Sequence, residues 1–426
     1  MSTQQPAPPA PGVGLTRARP QRVGRFLTFA LPASAGLYAV YQGVQAILLP
    51  SQVAEIDPSN KVANLAIITT VFSIASTLVL PIAGAWSDRT RSRFGRRAPW
   101  IAGSAAIAAI LLVILSGSVN LFALGTLVTL LWLVLNVFQA PLTAAVPDRI
   151  PVSKRGLGSS IFGLGLPVGT LIGLQLAAHL PRSQGYWALA AVLVVFTAAF
   201  LVFAREKPYL RDELAVTPTR PGMRIAFAAF FSSFRSRDFS LAFVARFLLF
   251  LAYFTVSGYL FYILQDLIGT ENVPGGNVAV AVSTITSIAV IVWVFTSVFF
   301  GLIADRLDRR KLFVALSAIG MAITLAIPIV FPTWTGMLFY AVFSGLFFGI
   351  YLGVDLALMT LVLPDKDREG RDLGVLAVAT SAPQILSPVV AALLITFLGG
   401  YTTLFIFAIA AAAVGGVVAL LIRGVR

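Results

Sequence analysis

The stretch Gly84-Ala85-Trp86-Ser87-Asp88-Arg89, followed by Gly95-Arg96-Arg97, returns in reduced form as Gly301-Leu302-Ile303-Ala304-Asp305-Arg306, followed by Arg309-Arg310-Lys311. Asp88 and Asp305 stand 217 positions apart, about half of the 426 residues. Each copy sits between two long apolar runs, where a charged cluster has to be an aqueous loop. A membrane hairpin and its charged loop repeated at half the chain length reads as two related helical bundles. In membrane proteins that arrangement goes with alternating access to a site between the halves.

The repeat extends well beyond the loop. Arg25-Phe26-Leu27 with Phe29, Tyr38 and Tyr41 matches Arg246-Phe247-Leu248 with Phe250, Tyr259 and Tyr262 at a shift of 221. Thr143, Pro147 and Asp148 match Thr360, Pro364 and Asp365 at 217. Gly158 and Pro167 match Gly374 and Pro383 at 216, and Gly185-Tyr186 matches Gly400-Tyr401 at 215. Any one pair is weak evidence; the same order maintained through both halves is strong.

Composition points the same way. The chain is 58% hydrophobic and 11% charged, against roughly 45–50% and 25% in soluble domains, so lipid must solvate most of it. It has no cysteine and one histidine, His179, which removes thiolate chemistry, disulfides and a His-rich metal centre. Neither a metal nor a cofactor is expected. A net charge of +14 would raise nucleic-acid binding in a soluble protein, but its distribution says otherwise.

Apolar runs of at least about 20 residues, the length that crosses a bilayer core, lie near 26–50, 62–86, 98–118, 120–145, 156–180 and 185–204. A second set lies near 241–267, 277–304, 311–331, 334–363, 373–397 and 401–422. Lipid permits only helices here. The fold class expected is therefore all-α: twelve transmembrane helices in two pseudo-symmetric six-helix bundles. Residues 1–24, rich in Pro, Ala and Gln, read as a disordered cytoplasmic tail; 25–204 and 241–426 are the bundles, and the basic stretch 205–240 is a cytoplasmic linker. With these spans only Lys61 and Arg182 of the 31 Lys and Arg fall in outer loops. By the positive-inside rule both termini are cytoplasmic, an integral protein of the plasma (inner) membrane is expected, and the basic residues are topological and not for nucleic acid.

The loop resembles the hallmark of the major facilitator superfamily, Gly-x-x-x-Asp-Arg with a following Gly-Arg-Arg, here carried by Gly84, Asp88, Arg89, Gly95, Arg96 and Arg97. Its long form, with Pro99 after it, is similar to the sucrose transporters and the glycoside–pentoside–hexuronide cation symporters. The resemblance implies a pore lined mainly by helices one, four, seven and ten, a sugar-like substrate and a cytoplasmic gate. The gating candidates are the loop residues with Gly301, Asp305 and Arg306. Arginines pair bidentately with carboxylates, so the loops could latch the halves; a solvated, purely topological turn is the other reading.

Candidate substrate-binding residues follow from polarity on pore helices: Tyr38, Tyr41, Gln42 and Gln45, spaced along one face, then Asn136, Gln139, Gln175, Tyr259, Tyr262, Tyr351 and Gln384. Gln265 shares the stripe of Tyr259 and Tyr262. Amides beside aromatic faces suit a polyhydroxylated solute, although tyrosines also anchor helices at membrane surfaces. Asp355 is the only acid well inside an expected span, which makes it a functional candidate and the residue on which proton coupling would rest. Asp266 is second, with Glu55 and Asp57 weaker. Arg25 and Arg246 read as topological charges at helix starts.

Two features depart from the narrower families. Their helices one, two and four carry acids that this chain lacks, so a sodium site of that type is not expected. Drug–proton antiporters of the superfamily carry a Gly-Pro pair in helix five, where this chain reads Leu166-Pro167. The sequence thus points to a monomeric carrier of a sugar, glycoside or similar small polar solute, with protons as the candidate coupling ion. A proton-driven exporter of drugs or metabolites is the alternative. A membrane enzyme or receptor is remote, for no nucleophile–base pair or metal cluster is present to serve one.

Overall fold

A computed structural model describes residues 23–205, 233–307, 309–362 and 369–423. Most of the expected tail and linker, 1–22 and 206–232, lies outside the described residues, as do Pro364 and Asp365 of the repeat. Among the described residues, eleven helices are long and apolar enough to cross a membrane. The first expected span is also helical but in three pieces: Val23–Gly43, a π turn Val44–Leu48, and Leu49–Ile56, together α1.

The others in the first half are α2 (Lys61–Arg89), α3 (Ala98–Ser116), α4 (Leu121–Arg149), α5 (Arg155–Gly163 continued by Gly165–His179) and α6 (Arg182–Phe203). The second half opens with α7 (Arg237–Ser257), followed by a short turn Leu260–Tyr262 and a π turn Ile263–Gly269. Then come α8 (Val278–Leu307), α9 (Arg310–Val330), α10 (Trp334–Leu361), α11 (Glu369–Phe397) and α12 (Gly400–Leu420). The π turns of α1 and α7 occupy equivalent places in the repeat, and such turns are commonest where a helix face serves a site.

Each main packing pair has a counterpart six helices later. Helix α1 packs on α5 and α6, as α7 does on α11 and α12; α3 on α4 and α6, as α9 on α10 and α12; α2 on α4, as α8 on α10. The two bundles meet through α2 against α11 and α5 against α8, again a symmetric pair. With apolar solvent outside, hydrophobicity cannot drive this packing; close van der Waals approach of small residues does. Gly165, Gly169 and Gly173 of α5 lie on the backbone of α1 at Ser34, Ala35 and Ala39. Gly345, Gly349 and Gly353 of α10 lie likewise on α8 at Ala289, Trp293 and Ser297. These two glycine ribbons break the pseudo-symmetry, because the repeat would place their counterparts on α11 and α4.

A Cβ added at Gly173 would stand 2.1 Å from the Ala39 carbonyl oxygen, whereas one at Gly103 meets nothing within 4 Å. Gly173→Ala is therefore expected to lower thermal stability in detergent by an amount typical of overpacking, about 1–3 kcal/mol. Gly103→Ala on α3 should leave it unchanged or slightly raised; differential scanning fluorimetry of the two variants checks the pair.

Candidate functional site

A cavity of about 360 Å³ lies between the bundles, walled by residues of α1, α2, α5, α7, α8, α10 and α11. Its polar groups include the amides Gln42, Gln45 and Gln384 and the hydroxyls Thr69, Ser73, Thr170, Ser257, Thr286, Ser344 and Ser387. One side is aromatic: Tyr253 stacks on Phe348 at 4.1 Å and 7°, and Trp293 meets the same ring edge-on at 6.2 Å. Among the described residues, no charged side chain lines it. The Thr170 hydroxyl is buried without a hydrogen-bond partner, leaving it able to meet a ligand.

The expected binding residues divide. Gln42, Gln45, Tyr259 and Gln384 reach the cavity. Tyr41 stands behind it in a chain of rings, 6.2 Å from Tyr38 and 5.5 Å from Trp132, and its hydroxyl donates to Gln139 Oε1 at 3.3 Å. Gln139 instead lines a hollow of about 640 Å³ toward the end of α4, walled by first-half residues. Asn136 is buried and donates to the Trp132 carbonyl one turn back, at 2.8 Å. That bond engages the amide within its own helix, and Asn136 does not line the cavity. Gln175 is exposed on α5, because the ribbon of glycines turns the opposite face of that helix inward.

Tyr262 departs from its expected role as well. Helix α7 breaks after Ser257, and the π turn that follows removes the continuous stripe expected over residues 259–266. Tyr262 is fully buried, and its hydroxyl donates to the Pro50 carbonyl at 3.0 Å. The Tyr259 hydroxyl lies 3.1 Å from the carbonyls of both Val62 and Pro388, so it can donate to either. Both phenols thus bridge first-half and second-half backbone. Beside them Lys61 Nζ is 2.6 Å from Asp266 Oδ1 and 2.9 Å from Gln265 Oε1, while Tyr401 donates to Asp266 Oδ2 at 2.6 Å. These contacts close the face that carries few basic residues, where Lys61, Tyr259 and Tyr262 make hydrogen bonds joining the two halves.

Asp266 is thus engaged on both oxygens, by Lys61 of the first half and Tyr401 of the second. The two weaker acid candidates on this face are also engaged. Glu55 pairs with Arg182. Asp57 accepts from the Asn60 backbone at 3.1 Å and from Asn64 at 2.9 Å. These donors, Asn60 foremost, hold the Asp57 carboxyl below the usual carboxylate range and keep it ionised.

Asp355 lies deep in the second bundle, 4% exposed. Arg246 Nη1 pairs with it at 2.6 Å, Arg246 Nε donates to Thr380 at 3.0 Å, and the guanidinium sits 5.5 Å over the Phe250 ring. Arg246 is thus not the topological helix-start charge expected of it: α7 begins at Arg237, two and a half turns earlier. Its spacing with Phe250, Tyr253 and Ser257 forms one helical face, a signal that an expected span starting at 241 obscured. Tyr351, buried one turn before Asp355 and 5.8 Å from Phe250, belongs to this layer and not to the cavity wall. Tyr253, Trp293, Tyr340 and Lys61 are the other site residues the sequence left unmarked.

On the basic face, Arg96 and Arg97 pair with Asp148 at 2.7 and 2.5 Å, and both approach Asp88. Arg97, 3% exposed, also donates to the Pro141 carbonyl. The cluster ties the ends of α2, α3 and α4 together within one bundle. Gly95 turns the loop at φ 100°, a conformation that favours glycine. In the second copy Asp305 pairs with Arg310 at 3.0 Å while Arg306 is exposed. Gly84 has open space around it, and Gly301 lies against the Gly353 backbone.

A family model described as Major Facilitator Superfamily matches residues 33–292 and again 242–426. No curated protein sequence matches the chain significantly. Among solved structures, the nucleoside transporter NupG aligns with a TM-score of 0.72 at 12% identity, covering 93% of this chain and 99% of its own. A POT family transporter in complex with a thioalcohol-conjugated peptide aligns at 0.71 and 15% identity, covering 93% and 96%. A bacterial homolog to the human lysosomal transporter Spinster, inward-facing and occupied, aligns at 0.68 and 12%, covering 95% and 97%. At such identities the likeness concerns the fold.

The seal can be tested because the chain has no cysteine, so Gln45→Cys supplies a single reporter in the cavity. Adding Lys61→Met should speed its labelling by an impermeant maleimide from the sealed face about two- to fivefold, the range a partly exposed ion pair supports. Exchanging the charges, Lys61→Asp with Asp266→Lys, should return the rate toward that of the reporter alone.

Proposed function

The chain belongs to the Major Facilitator Superfamily, and from that premise we propose a secondary carrier of a small, uncharged, polar organic solute, a sugar or glycoside, working by alternating access. The carrying observation is the central cavity: three amides and a stacked aromatic wall with no charged side chain among the described residues. Its volume lies at the small end of ligand pockets, roughly 300–1,000 Å³. Sugar hydroxyls pair with amides while the C–H face of the ring rests on aromatic carbon. An ionised solute would be left without a counter-charge there, a costly arrangement in a low dielectric. The aromatic wall also favours a second uncharged class, nucleosides, whose bases would stack on Tyr253 or Trp293.

The basic face is the cytoplasmic one by the charge rule, with both termini on it in the plasma (inner) membrane. The sealed face is then external, and the state described is closed to the outside. Transport requires the Lys61–Asp266 seal to open while the other face closes. There the loop of Gly84, Asp88, Arg89, Gly95, Arg96 and Arg97, with Gly301, Asp305 and Arg306, would act as the gate. Asp355 is the proton-coupling residue of this reading, poised one aromatic layer from the cavity through Phe250 and Phe348. When it takes a proton, Arg246 loses its partner, and the tie between α7, α10 and α11 loosens. Asp266 serves the gate.

Reconstituted protein should accumulate a radiolabelled sugar or glycoside under an inward proton gradient. Lipophilic dye efflux without sugar or nucleoside flux would sink this reading in favour of an exporter. Gln42→Ala and Gln384→Ala are expected to weaken uptake about tenfold each, the effect of removing one or two hydrogen bonds to ligand.

Asp355→Asn should keep sugar exchange but lose gradient-driven accumulation. Unchanged accumulation in that variant would remove Asp355 from coupling. Since stranding Arg246 costs about 3–5 kcal/mol, the double variant Arg246→Gln/Asp355→Asn separates lost coupling from lost stability.

A further inference from the structure

A third pocket, of about 690 Å³, opens at the basic face where α3 begins and α4 and α6 end. Four arginines line it: Arg93, Arg97, Arg149 and Arg205. Arg97 is buried and fixed by Asp148. Arg149 donates to the Ala204 carbonyl at 2.5 Å and lies over the rings of Phe26 and Phe200. Both are held in place at the back of the pocket. Arg93, stacked 4.8 Å over Phe94, and Arg205 are exposed at its mouth. The remaining wall is apolar, including Phe94, Pro99, Phe200 and Val202.

We propose that this pocket binds the headgroup of an anionic phospholipid, with Arg93 and Arg205 clasping the phosphate. Four points carry the assignment. Guanidinium groups pair bidentately with phosphate oxygens. The N-terminus of α3 adds a favourable dipole for an anion. The pocket sits where helices leave the apolar span, the depth of headgroups, and basic pockets between helices on the cytoplasmic side suit them. Finally, the outer surfaces of α3 and α6 leading up to it are apolar and exposed, at Ile107, Ile110, Val195 and Phe203, which gives acyl chains a track that a soluble phosphate would not use. Because Arg97 joins the pocket to the cluster of Asp88 and Asp148, an occupied pocket would brace the loop between α2 and α3.

Native mass spectrometry of the full chain, released from detergent with equal phosphatidylglycerol and phosphatidylcholine, tests this. Wild type should retain phosphatidylglycerol at least fivefold over phosphatidylcholine. The double variant Arg93→Gln/Arg205→Gln should lose that preference, and Arg93→Lys/Arg205→Lys should recover much of it. Equal retention of the two lipids, or a preference unchanged in the Gln variant, overturns the proposal. Displacement of the lipid by millimolar glycerol phosphate would assign the pocket to a free anion and overturn it as well. Neither arginine touches the central cavity, so these outcomes do not depend on the carried solute.

Discussion

Charge in a bilayer interior has to be neutralised, and almost every feature of this molecule follows from that constraint. The chain keeps its charged residues at helix ends and in loops. Where charge does enter a span, as at Arg246 and Asp355, it arrives as a pair at 2.6 Å with a hydroxyl accepting a further bond from the arginine. The two basic residues of the sparse face, Lys61 and Arg182, are each matched to an acid. The cavity, by contrast, is polar without charge. That difference separates the groups that fix and move the protein from those that would hold a passenger.

Duplication supplies the architecture, and departures from it supply the function. Every main helix pairing recurs six helices later. The deep acid does not: the repeat places Phe138 where the second half has Asp355, and Arg25, the counterpart of Arg246, rests over Phe203 at 5.7 Å. The glycine ribbons likewise fall on non-equivalent helix pairs. The deep Arg246–Asp355 pair therefore belongs to one bundle alone, while the buried arginine of the other, Arg97, sits at the helix ends.

The fold was legible because its signals are long. Twenty-residue apolar runs, a loop motif and an ordered repeat each average over many residues, and most helix ends came within a few positions, the ends of α1 and α7 excepted. The site was legible only in part. Gln42, Gln45 and Gln384 were recognisable as amides on pore helices. Asn136 and Gln175 looked the same in sequence but were satisfied internally or turned outward. The π turns shifted the face of α7 and took Tyr262 from the pore to the seal, a change of register no residue pattern announces. Arg246 was missed for a simpler reason: a span begun four residues late hides how deep its charge lies.

The strength of the seal bears on how such a carrier can move at all. Its elements are a partly exposed ion pair, worth about 0.2–1 kcal/mol, and the hydrogen bonds of Tyr259 and Tyr262 across the halves, each about 1 kcal/mol net. Together they amount to a few kcal/mol. A solute shifts an equilibrium only by the difference in its affinity for the two states, and a difference of that size is within reach of several hydrogen bonds formed in one state and not the other. The internal bundle contacts, built on glycine ribbons that admit no added atom, are far stiffer. Rocking would therefore concentrate at the interface of α2 with α11 and α5 with α8, the interface that the weak seal closes.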